Sequence, residues 1–201
     1  LTFALCDYLN GLGLHPQVTG VEYRADLVDL CNKIAQDPGF SHLRFEQGDI
    51  ADYDCTGANI LIALHACDTA TDDAIYKGIT AGADLIVVAP CCHKQIRREI
   101  EKANAHNDLN FLMKYGIFTE RQAEMVTDGI RALILEYCGY TTKVFEFISD
   151  SHTPKNVLIV GTRNKKSTSR DSALLEKIKT AKAYFVYPVR GSWTNRGVLL
   201  R

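Results

Sequence analysis

The chain lacks long apolar runs. No stretch approaches the ~18 consecutive apolar residues of a membrane-spanning helix, so the sequence predicts no membrane span. Its first residues carry no charged–apolar–small leader pattern. Its seven cysteines are an odd number, with one adjacent pair and no CxxC spacing. That usage argues against a secreted disulfide framework and predicts reduced thiols in a cytoplasmic protein. Internal repeats are absent, and the one linker-like stretch is the polar run NKKSTSRD at 164–171. Net charge is nearly absent too, at −1, but this balance hides an asymmetry. Arg163 to Arg201 holds ten Lys/Arg against two Asp/Glu, or +8, and Leu1 to Thr162 holds 13 against 22, or −9. A basic tail on an acidic body is one form of nucleic-acid footprint, and a solvated extension is the plainer reading.

What the chain does have is a pair of polar clusters, each placed where an apolar run stops. Asn59-Ile60-Leu61-Ile62-Ala63-Leu64 runs into His65-Ala66-Cys67-Asp68, and Asp84-Leu85-Ile86-Val87-Val88-Ala89 runs into Pro90-Cys91-Cys92-His93-Lys94. Short apolar runs without polar alternation read as strands buried on both faces, as in a parallel sheet. A helical stretch from Ala70 to Thr80 lies between them, completing a βαβ unit. The two clusters should then lie side by side at the carboxyl edge, where open α/β sheets bind ligands.

The remaining elements alternate. Helices are expected at Leu1–Leu12, Ala25–Gln36, Gln95–Ala105 and Thr119–Tyr137, the last with Thr119 as N-cap and Gly139 as its stop. Strands are expected at Val18–Glu22, at Leu43–Phe45 ahead of Gly48-Asp49-Ile50, and at Thr142–Ile148 and Asn156–Thr162, which should pair as an antiparallel hairpin. The chain begins inside an apolar helical pattern (Leu1, Leu5, Tyr8, Leu9, Leu12) and reads as a fragment whose first strand is missing.

Alternating strands and helices closed by an antiparallel pair resemble the class I S-adenosylmethionine (SAM) methyltransferases. The segment Val18-Thr19-Gly20-Val21-Glu22 is similar to that family's second strand, and Gly48-Asp49-Ile50 to the segment after its third. LHACDTATDDA, PCCHK and HTPKN together resemble an uncharacterised methyltransferase-like subgroup, and more distantly the eukaryotic tRNA 2′-O-methyltransferases. The resemblance implies an α/β, Rossmann-like sheet, mostly parallel with the last strand antiparallel, lacking the first strand and the glycine-rich loop. It implies a partial SAM-dependent domain over 1–163, followed by a basic extension over 164–201. Where the tRNA enzymes carry Gly after the first cysteine, this chain has Asp68, so the substrate does not carry over.

The resemblance also implies roles. Glu22 would accept the ribose hydroxyls of SAM, Asp49 would meet the adenine amino group with Ile50 over the ring, and Leu64 and His65 would face the methyl donor. Methyl transfer needs the acceptor aligned at ~3–3.5 Å and, for a weak nucleophile, a proton acceptor. His65, Asp68 and His93 are candidate bases or orienters. Cys91 and Cys92 are candidate pocket or nucleophilic thiols. Lys94, with Arg97 and Arg98, and His152 and Lys155 in the late loop form a candidate basic rim for phosphate, which ranks RNA first among acceptors. Two rivals stay open. Cysteine and histidine at one edge can hold zinc, although consecutive cysteines at a strand end should point apart. The other rival is a SAM-fold binding module without catalysis.

Overall fold

The computed structural model describes residues 1–64, 66, 69–103, 110–149, 151–153, 155–164 and 171–185. The chain forms two compact units, Leu1–Asp54 and Cys55–Arg201.

The first unit packs helices on a two-stranded parallel sheet. Helix α1 (Thr2–Gly11) precedes strand β1 (Val18–Glu22), and α2 (Ala25–Ile34) with a 3₁₀ turn (Pro38–Phe40) leads to β2 (Leu43–Gln47). Val18 lies opposite Leu43 and Glu22 opposite Gln47. Phe3 stacks on Phe45 with ring centroids 5.3 Å apart and meets Phe40 edge-on at 5.1 Å. Asn32 on α2 holds β2 in place: its amide donates to the Phe45 carbonyl and accepts from the Phe45 N–H, both at 2.8 Å.

The second unit contains β3 (Ile60–Leu64), α3 (Thr69–Ala81), β4 (Leu85–Ala89), α4 (Lys94–Ala103), α5 (Asn110–Met113), α6 (Gly116–Tyr137), β5 (Tyr140–Glu146), β6 (Val157–Arg163) and α7 (Ser172–Phe185). Its sheet has the order β3-β4-β6-β5, with β3 parallel to β4 and β6 antiparallel to both β4 and β5. The expected hairpin is present, and this mixed α/β architecture is compatible with a Rossmann-like fold. Ile86, Val88, Ile134, Leu135 and Ile159 are essentially removed from water. Such side chains contribute about 1.5–3 kcal/mol each. Gly78 lets α3 approach the sheet, since a Cβ there would lie 2.8 Å from Ile86. Gly139, at φ +87°, ends α6 in the left-handed conformation that glycine takes without strain. Among the described residues no helix is long and apolar enough to cross a membrane.

Several expectations need correction. Thr119 is not an N-cap: α6 begins at Gly116, and the Thr119 hydroxyl donates back to the Tyr115 carbonyl inside the helix. Burial on both faces holds for most of β4 but not for β3, where Ile60 is 42% exposed. The reason is that β4 is flanked by β3 and β6, whereas β3 pairs with β4 alone among the described residues. Within 164–201, the described α7 is no solvated appendage. Ile178 is fully buried against Val126, Ile130, Ile134 and Tyr137, with Leu174, Leu175 and Ala181 beside it.

Candidate functional site

In the first unit, the parallel register brings the carboxyl ends of β1 and β2 together. The Gly48 N–H donates to the Glu22 carbonyl at 3.1 Å, so Asp49 and Ile50 follow immediately beside the strand end that carries Glu22. The Arg24 N–H donates to Glu22 Oε1 at 3.0 Å, and the Gln47 amide donates to the Tyr23 carbonyl at 3.1 Å; together these pin the turn after β1. The Glu22 side chain is half-buried and keeps further lone pairs, because a carboxylate can accept about four hydrogen bonds. Asp49 is exposed, its Oδ1 accepting from Ala51 N–H at 2.9 Å, and Ile50 is half-buried behind it. Two carboxylates and an aliphatic side chain at one strand edge form an acceptor set for hydroxyl and amino donors on a flat apolar ring. That chemistry fits a nucleoside.

In the second unit, Leu64 lies opposite Ala89, which brings the segment after β3 to the edge that bears Pro90–Lys94. His65, Cys67 and Asp68 lie outside the described residues, so the roles expected for His65 and Asp68 have no structural description. Ala66 is described, and its carbonyl accepts from the buried Thr71 hydroxyl at 2.5 Å, tying this segment to the first turn of α3. Cys91 and Cys92 are half-buried and not disulfide-bonded, with sulfurs 3.8 Å apart. Consecutive cysteines were expected to point apart. β4 ends at Ala89, so strand alternation no longer governs positions 91 and 92. Among the described residues no three His, Cys, Asp or Glu side chains are grouped to hold a metal ion.

His93 anchors the edge. It is 3% exposed, and its Nε2 lies 3.0 Å from Asp128 Oδ1 on α6. The same oxygen accepts from Arg131 Nη1 at 2.9 Å, and Arg131 Nε donates to Asp72 Oδ1 on α3 at 2.7 Å. Arg131 is 1% exposed, a buried cation held between two carboxylates. His93 Nδ1 is buried with no hydrogen-bond partner among the described residues. Leaving such an atom unpaired costs about 1–3 kcal/mol. Asp128 and Arg131 escaped the sequence reading. Their signal was a charged pair three residues apart in the largely apolar stretch from Met125 to Leu135 of α6.

The rim residues divide. Lys94, Arg98 and His152 are exposed. Lys155 instead ion-pairs with Glu124 and reaches Glu120 at 3.5 Å, while Arg97 binds Glu120 at 2.8 Å and Glu101 at 3.0 Å. Lys155 and Arg97 thus meet at Glu120, which joins the β5–β6 loop to α4 and α6. Burial alone would raise the Glu120 carboxyl. The Arg97 hydrogen bond and the Lys155 and Arg97 charges outweigh it and hold the group below its ordinary value.

Residues 1–99 match the family model of a methyltransferase domain. The match supports a methyltransferase function, and it takes in both strand edges up to α4 while leaving out Asp128, Arg131 and the β5–β6 loop. The chain is also similar to curated proteins described as glutathione S-transferase C-terminal domain-containing protein. It is 28% identical over 166 residues to those of Homo sapiens and Macaca fascicularis, and 27% identical to that of Mus musculus. Each alignment covers 72% of this chain and 26% of the relative, so the chain spans about a quarter of the length of these relatives.

Proposed function

We propose that this chain is a SAM-dependent methyltransferase domain, with RNA as the first-ranked acceptor. The observation that carries the reading is the β1–β2 register, with Gly48 N–H on the Glu22 carbonyl and Asp49 and Ile50 next in line. When bound, SAM supplies an electrophilic methyl group on a sulfonium. Glu22 accepts the ribose hydroxyls, Asp49 accepts from the adenine amino group, and Ile50 covers the ring. Leu64 and His65 belong to the donor side of the reaction, and Asp68, Cys91, Cys92 and His93 to the acceptor side. The exposed Lys94 and His152 contact phosphate, with Lys155 reinforcing them where its ion pairs with Glu120 and Glu124 are exchanged for an RNA phosphate. The finer kinship, with the subgroup bearing the LHACD, PCCHK and HTPKN motifs and with tRNA 2′-O-methyltransferases, belongs to this same reading.

Calorimetric titration with SAM and S-adenosylhomocysteine tests the cofactor. Glu22→Ala should weaken binding by about 2–3 kcal/mol, the scale of charge-assisted hydrogen bonds to two hydroxyls, or roughly 30- to 150-fold in Kd. Unchanged affinity removes the ribose role. Methyl-labelled SAM offered with bulk tRNA, and separately with a protein extract, ranks the acceptors. Label in protein alone overturns the RNA assignment. SAM binding with no label in either fraction favours a non-catalytic binding module.

A further inference from the structure

The buried chain from Asp72 through Arg131 and Asp128 to His93 spans α3, α6 and the turn after β4. An ionised carboxylate only accepts hydrogen bonds, and Asp128 Oδ1 already accepts from Arg131, which stays protonated. The partner proton in the 3.0 Å contact must therefore sit on His93 Nε2. In a neutral imidazole this leaves Nδ1 as a lone pair, and Nδ1 is the buried atom without a partner among the described residues. We propose that Asp128 is a positioning residue that fixes this tautomer of His93, and that Nδ1 takes up the proton released by the methyl acceptor.

The proton balance is closed. The acceptor's lone pair forms the bond to the methyl carbon as the carbon–sulfur bond breaks with its pair left on sulfur. The acceptor's O–H or N–H proton passes to Nδ1. The imidazolium so formed faces Asp128, whose charge compensates it at 3.0 Å. Arg131 keeps Asp128 from turning away, and Asp72 keeps Arg131 in place. The role given to Nδ1 rests on the methyltransferase reading; the tautomer follows from the hydrogen bonds alone.

Nitrogen NMR of the histidine-labelled full chain reads the tautomer directly, with the His93 ring assigned among the six histidines. Nε2 should carry the proton and Nδ1 should have the shift of an unprotonated nitrogen. In the isosteric Asp128→Asn variant the amide oxygen at the Oδ1 position can accept from both Arg131 and Nε2–H, so the tautomer should be kept, whereas Asp128→Leu removes that acceptor. In the Asp128→Leu variant the proton should redistribute, with protonated Nδ1 appearing. Label transfer from SAM to bulk tRNA should fall by about 10²-fold or more in that variant, the scale of losing a general base, while SAM affinity stays unchanged. A proton on Nδ1 in the unsubstituted chain overturns the inference, and this readout needs no variant to fold. Wild-type transfer by an Asp128→Leu protein with a protonated Nδ1 also overturns it. A chain that moves no label to RNA or protein overturns the methyltransferase reading, and the role of Nδ1 with it, and is told apart because the tautomer is measured separately.

Discussion

Replacing Arg131 with methionine is the sharpest test of how the site is built. The side chain is 1% exposed and bridges Asp72 at 2.7 Å and Asp128 at 2.9 Å. Two unit charges about 4 Å apart attract by roughly 4 kcal/mol at an effective dielectric of 20. Arg131 gains two such terms, offset by the cost of desolvating three charges. Measured losses on breaking a buried pair from one side run at about 3–5 kcal/mol, because the remaining charges stay buried without compensation. Asp128 retains His93 in the variant, so the middle of that range, about 4 kcal/mol, is expected. With a urea slope of about 2 kcal/mol per molar, the unfolding midpoint should drop by roughly 2 M. Urea titrations followed by far-UV circular dichroism would measure the loss. A midpoint within 0.3 M of the unsubstituted protein would show that the bridge contributes nothing and that the edge is held by packing alone.

The tail and the rim give two further tests. Ile178→Ala should destabilise the second unit by about 2–5 kcal/mol through the cavity left against Val126, Ile130 and Ile134, read as a lowered urea midpoint; a loss below 0.5 kcal/mol would mean that α7 is not packed in solution. Because the Glu120 carboxyl is held below its ordinary value of 4.5, its contribution to stability is present above that value and is lost as pH falls through the lower folded one. Hydrogen exchange over 148–156 should therefore step up on acidification, and Glu120→Gln should remove the step; an identical step in the variant would assign it to another group.

The legible parts of this chain were those whose signal is local. β1 runs from Val18 to Glu22 as its β-branched pattern suggests, and the apolar runs before His65 and Pro90 do pair in parallel, with Leu64 opposite Ala89. Thr119 misled because a threonine near a helix start has two uses. Here Gly116, Ile117 and Phe118 already form the first turn, and the hydroxyl bonds four residues back. α7 was masked by composition: the basic count and the polar run before it outweighed the helical spacing of Leu174, Leu175, Ile178 and Ala181. The Asp72–Arg131–Asp128–His93 chain was illegible for a different reason. Its contacts join residues 59 and 35 positions apart, and such a network leaves no periodic trace. Only the charges of Asp128 and Arg131 within the largely apolar second half of α6 hinted that something buried must answer them.

The packing of Ile178 also bears on how the chain is made. Val126, Ile130 and Ile134 complete their burial only against a residue more than 40 positions downstream. At about 5–20 residues per second of synthesis, that face of α6 waits roughly 2–10 s for α7 to emerge. During that interval the nascent second unit presents an apolar stripe to its surroundings, and its sheet gains β6, which lies between β4 and β5, only late. Among the described residues α7 is thus the last piece to join the second unit's core, and a ribosome stalled before residue 172 would hold a chain without it.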